Sequence, residues 1–133
     1  MFRVSVCLVA VGLFVAPLLA QESTTSHVKR ATFASAIVDR EPVDDIDSLT
    51  TAVDKIFFFT EIVDMAGQTV THRWTFGGEV VAEVPFAIGG PRWRVYSSKQ
   101  LAPEMTGQWT VTVVDSSGAA LGEDSFVYSA TTQ

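Results

Sequence analysis

The chain has 133 residues, nine Lys and Arg against fifteen Asp and Glu, and a formal charge of −6. One small domain fits that length. An acidic whole argues against DNA or RNA as partner and against loose adhesion to anionic lipid, since both need a net basic face.

Residues 1–20 read as a secretory signal peptide. Arg3 supplies the positive start, Val4 to Leu19 is an apolar run, and Ala20 precedes the polar segment from Gln21. The run is short of the roughly 20 apolar residues of a membrane span. The alternative is an uncleaved leader that anchors the chain. Cleavage after Ala20 would remove Arg3, taking the charge from −6 to −7, and would leave no integral membrane segment. The single cysteine, Cys7, lies inside the leader, so the mature chain would lack disulfide, thiolate nucleophile and Cys-based metal site. The expectation is an exported protein, periplasmic or extracellular. Residues 21–30 are polar and without periodicity, and are expected to form a flexible tether.

The expected domain spans 31–130. Thr32–Val38 is small, β-branched and aromatic and reads as a strand. Glu41–Asp47 holds Pro42 and four carboxylates and reads as a loop. Ser48–Val53 fits a helical turn or a short edge strand. Lys55–Val63 (KIFFFTEIV) is the strongest strand; its start is apolar on both faces, so it should lie centrally in a sheet. Thr69–Phe76 alternates, with Val70, His72, Trp74 and Phe76 on one face. Gly77-Gly78 turns the chain, and Val80–Phe86 alternates again.

These two patterns bear on the hairpin register. A two-residue Gly-Gly loop pairs Phe76 with Glu79 and sends Val80 and Val84 to the wrong face. A three-residue loop pairs Phe76 with Val80, Trp74 with Ala82 and His72 with Val84, and sets Arg73 against Glu83. Burial is therefore expected to override the Gly-Gly preference.

Ile88-Gly89-Gly90-Pro91 breaks the chain once more. Arg92–Ser97 is a strand with Trp93 and Val95 on one face and Arg92, Arg94 and Tyr96 on the other. After a long loop, Gln108–Val114 points Trp109, Val111 and Val113 inward. Asp115-Ser116-Ser117-Gly118 turns, and Ser125–Tyr128 is the last strand. About seven short antiparallel strands in roughly 100 residues indicate an all-β, immunoglobulin-like β-sandwich, with a small β-barrel as alternative.

Val70–Lys99 concentrates basic and aromatic residues in this acidic chain. Arg92 and Arg94 on one strand face, about 7 Å apart, have the spacing to clamp an anionic group, with Tyr96 stacking or hydrogen-bonding and Lys99 nearby. The competing expectation pairs them with the Asp44–Asp47 loop or with Glu79 and Glu83. Trp74, Trp93 and Trp109 fall on inward positions and are expected in the core, Trp74 matching the buried tryptophan common in such sandwiches. His72 shares the phase of Trp74 and is expected to be a hydrogen-bonded structural residue. With His27 in the tether it has no second histidine to make zinc credible. The carboxylates of Glu41, Asp44, Asp45 and Asp47 lack the glycine and distal glutamate of a calcium loop. Ser97, Ser98 and Lys99 lack the second motif of a Ser–Lys nucleophile. The set implies no cofactor and no enzyme.

The motifs HRW (72–74), VPF (84–86), GGPRWR (89–94), SSK (97–99) and GQWTVTVVDSSG (107–118), with IVDREPVD (37–44) and FFFTEI (57–62) upstream, together resemble an uncharacterised bacterial family of exported or membrane-tethered β domains. The resemblance runs from Ala31 to Tyr128 and implies a β domain with no established catalytic residue. The expected function is a non-catalytic envelope binding or assembly module. Its partner would be an envelope protein or cell-wall glycan. A structural subunit pairing through an edge strand is the alternative.

Overall fold

The computed structural model describes residues 27–131. The leader and the first part of the tether lie outside the described residues. Ten strands follow: β1 (Val28–Ala34), β2 (Ile37–Val38), β3 (Glu41–Pro42), β4 (Ser48–Thr50), β5 (Lys55–Val63), β6 (Thr69–Phe76), β7 (Glu79–Ala87), β8 (Arg92–Gln100), β9 (Gly107–Val114) and β10 (Ala120–Ser129). A three-stranded sheet has the order β1-β5-β8, and a five-stranded sheet the order β4-β10-β9-β6-β7. Taking the seven long strands in chain order, the first, second and fifth face the seventh, sixth, third and fourth. That is the immunoglobulin-like arrangement, and neither sheet closes into a barrel.

Each inner face supplies the core by alternation. Phe33, Ile56, Phe58, Ile62 and Val95 come from one sheet; Val70, Trp74, Trp109, Val111, Val113, Phe126 and Tyr128 come from the other. Trp74 sits on β6 with no exposed surface, its ring 6.0 Å from Phe33 and 6.3 Å from Phe58. Trp109 is equally buried and stacks between Phe76 and Phe126. β5 lies between β1 and β8, and its outer face is buried too: Phe59 has no exposed surface although it lies outside the main core.

Several expectations need correction. β1 starts at Val28, inside the segment read as tether, because its backbone pairs with β5 from Val28 opposite Ile62. Part of the acidic stretch 41–47 is strand: β2 and β3 form a tight hairpin through Asp39 and Arg40, both at positive φ (53° and 62°). The 48–53 segment resolves to the short edge strand, β4, parallel to β10.

The β6–β7 hairpin satisfies both signals that seemed to conflict. Its loop is the two-residue Gly77-Gly78 turn, both glycines at positive φ (60° and 81°), and Phe76 does face Glu79. The three-residue loop is therefore wrong. Beyond it, a bulge between Ala82 and Val80 takes up one residue, after which Trp74 faces Ala82, Arg73 faces Glu83 and His72 faces Val84, as burial requires. The cost is local: Val80 and Val81 stand exposed.

Candidate functional site

The basic residues of β8 converge on the outer face of the three-stranded sheet, and they do not arrive unpaired. Cross-strand register sets Arg30 of β1 opposite Glu61 of β5, and Glu61 opposite Arg94 of β8. Glu61 is 1% exposed. Its Oε1 accepts from Arg92 Nε at 2.8 Å and from Arg30 at 3.1 Å. Arg30 also forks onto Glu41 of β3, at 2.9 and 3.1 Å, and Glu41 accepts from Arg94 at 3.0 Å. The result is a ladder, Arg92–Glu61–Arg30–Glu41–Arg94, lying over Phe59, with the Arg30 guanidinium 4.9 Å from that ring. Burial pushes the Glu61 carboxyl up, but the hydrogen bonds from Arg30 and Arg92 outweigh it and hold the group below its ordinary value. Glu41 is held low first by its bond to Arg30.

Pairing was anticipated, but with the wrong carboxylates. The Asp44 carboxylate binds Ser35 and that of Asp45 binds Thr32, so the acidic loop closes on β1 instead. Glu83 pairs with Arg73 across the β6–β7 hairpin at 3.1 Å. The signal that finds the true partners is strand phase: Glu61 shares the outer face of β5, and the tight β2–β3 hairpin brings Glu41 over it. Three guanidiniums share two carboxylates, so the ladder keeps one net positive charge. Arg92 is its most open member, with 64% of its side chain exposed.

Tyr96 lies on the same face, 46% exposed, with its ring edge toward Phe57. Lys99 does not join them. It sits an odd number of residues from Arg92, Arg94 and Tyr96, and so occupies the opposite face of β8. Its Nζ bonds Gln100 O at 3.2 Å and lies 6.0 Å from the Trp109 ring. Trp93 has the inward phase expected of it but is 37% exposed. It stands at the rim, where its ring packs on Gly89 so closely that a Cβ there would come within 2.8 Å.

His72 lies in the core. Its ring sits between Phe58 and Phe86, at 4.9 and 4.8 Å. Nε2 meets Thr60 Oγ1 at 2.9 Å and Nδ1 meets Ser97 Oγ at 2.7 Å, while Trp74 Nε1 donates to Ser97 Oγ at 3.1 Å. This chain of bonds ties the two sheets together through fully satisfied polar groups. Burial pushes the imidazole pKa down to about 3, so it is neutral. The Ser97–His72 contact has the length of a nucleophile–base pair. His72 is wholly buried and Ser97 only 6% exposed, so the contact faces core rather than solvent. Among the described residues no cluster of three or more His, Asp or Glu has the placement to hold a metal ion. No helix among them is long and apolar enough to cross a membrane.

A second surface is an open groove of about 600 Å³ on the five-stranded sheet, lined by Thr75, Phe76, Gly107, Gln108, Thr110 and Glu123 among others. It offers little free chemistry. Thr110 bonds Ser125, and Phe76 lines the groove with one ring face already stacked on Trp109.

Comparison with known protein families matches residues 67–128 to a family described as a protein of unknown function (DUF2914). The match runs from the turn before β6 into β10, and so includes β8 and Trp74 but neither Glu41 nor Glu61. No curated protein matches the chain.

Proposed function

We propose that the domain is a non-catalytic binding or assembly module of the bacterial envelope, and that its contact surface is β8 with the outer face beside it. The observation that carries this reading is the position of β8. It is a nine-residue strand at the margin of a sheet, bearing the exposed Trp93 and Tyr96 and the most open arginine of the ladder. Export rests on the leader-like start of the sequence. A simple anion clamp by Arg92 and Arg94 is the weaker form of the reading, since Glu61 and Glu41 already occupy both.

The test is to pass solubilised envelope from the producing bacterium over the tagged protein and identify what is retained by mass spectrometry. Replacing Arg92 and Arg94 together would strip partners from Glu61 and Glu41 and confuse binding with folding. Tyr96→Glu is cleaner, because Tyr96 is exposed and outside the ladder. A component retained by the wild type and lost with Tyr96→Glu is the expected result. Equal retention, or none by either protein, contradicts the assignment.

A further inference from the structure

The four edges of the two larger sheets are not equivalent. β1 receives a backbone hydrogen bond on its outer side, Ile46 N–H to Phe33 O at 2.9 Å. β4 is three residues long. β7 carries the bulge, Pro85, Glu79 and Glu83. β8 has none of these features. Its register with β5 is unbroken from Arg92 to Gln100, it contains no proline or glycine, and no described strand pairs with its other side. Short strands, bulges, prolines and charges are the means by which proteins blunt exposed edges; a long regular edge is a template for strand addition.

The only guard left on β8 is positive charge. From Val84 to Pro103 the chain has Arg92, Arg94 and Lys99 and no Asp or Glu, although the whole carries −6. A guard of one sign opposes a second copy of the same strand and favours a strand of the other sign.

We propose that β8 accepts an extended acidic segment of a partner protein as a fourth strand of the three-stranded sheet. This rests on the binding-module reading and gives it a partner chemistry. Main-chain bonds along the free edge supply affinity, and alternate side chains supply selection. On the outer face the incoming residues meet Arg92, Arg94 and Tyr96, where the ladder holds one uncompensated positive charge, so carboxylates are favoured. On the other face they meet Trp93 and Val95, which favour apolar side chains, and Lys99 at the far end, which favours another carboxylate. The partner segment therefore alternates acidic and apolar residues over about nine positions.

The experiment uses the protein purified from cells that produce it and a fluorescent nine-residue peptide alternating glutamate and valine, with glutamate also in place of the valine that would face Lys99. Two control peptides carry lysine in place of glutamate, or N-methyl groups on alternate amides. The expected result is saturable binding that weakens at least tenfold with lysine, is lost on N-methylation, and weakens severalfold with Lys99→Glu, a variant outside the ion-pair ladder. Amide exchange should show new protection in β8. Absence of binding would overturn strand addition, as would binding indifferent to N-methylation, the behaviour of a site for any polyanion. Protection on β7 instead, or self-association through β8 in sedimentation, would overturn it too. If the envelope experiment retains a partner while the peptide fails, strand addition falls and the binding module stands; if both fail, both fall.

Discussion

His72 and Glu61 are each buried ionisable groups, and they are kept for opposite reasons. The imidazole is neutral because burial excludes its proton down to a pH of about 3, whereas the unfolded chain takes one near 6.5. The stability this difference governs is whole above pH 6.5 and falls as pH drops from 6.5 toward 3, by up to about 1.4 kcal/mol per pH unit. Urea unfolding at pH 7.5, 6 and 5 should show that slope in the wild type and a flatter one in His72→Gln. Glu61 is charged because Arg30 and Arg92 hold it so. Its contribution is present above the ordinary glutamate value and is lost below it, deepening the acid sensitivity. Glu61→Ala would remove the carboxylate that Arg30 and Arg92 share, but those guanidiniums keep solvent contact, so the change is expected to cost about 1–2 kcal/mol in the same assay. The tryptophans divide likewise. Trp74→Ala should cost about 3–5 kcal/mol and unfold so small a domain, while the rim residue Trp93 should cost far less when truncated. Alternation alone put both indoors; it reads the face of a strand but not how far the opposite sheet extends to cover it.

The β6–β7 hairpin shows the same limit at the level of the element. Gly-Gly asks for a two-residue turn and the apolar pattern asks for an odd count. Sequence reasoning treated these as exclusive, and the bulge at Val81 meets both. Deleting Val81 is therefore expected to keep the fold and the Arg73–Glu83 pair, since it leaves a regular hairpin in the same register. Gly78→Val, which forces a branched side chain to a φ of 81°, should cost about 1–2 kcal/mol. Thermal melts of the two variants check this contrast. The β2–β3 hairpin was less legible: Asp39 and Arg40 are not glycines, yet both take positive φ, and nothing in their spacing announces it. That turn decides which carboxylates meet the arginines of β8, which is why the ladder's partners were misread while its cations were not.

At the scale of the molecule, most of the long strands and their inward faces were legible because they alternate and pack against a sheet that does the same; β10 was read only from Ser125 to Tyr128, since Ala120–Asp124 carries no such alternation, yet it pairs with β9 from Ala120. The sites were less so. Whether an arginine is free depends on what other strands bring to it, and for Arg92 and Arg94 those residues lie 31 and 53 positions away. The open side of β8 is the edge on which the proposed contact depends. Amide hydrogen exchange of the whole protein, with and without the envelope component it retains, addresses that edge directly. The outward-facing amides of Arg92–Gln100 should exchange quickly alone and become protected when the partner is added. Unchanged exchange in β8, with protection instead around Thr75 and Thr110 on the five-stranded sheet, would place the contact surface elsewhere.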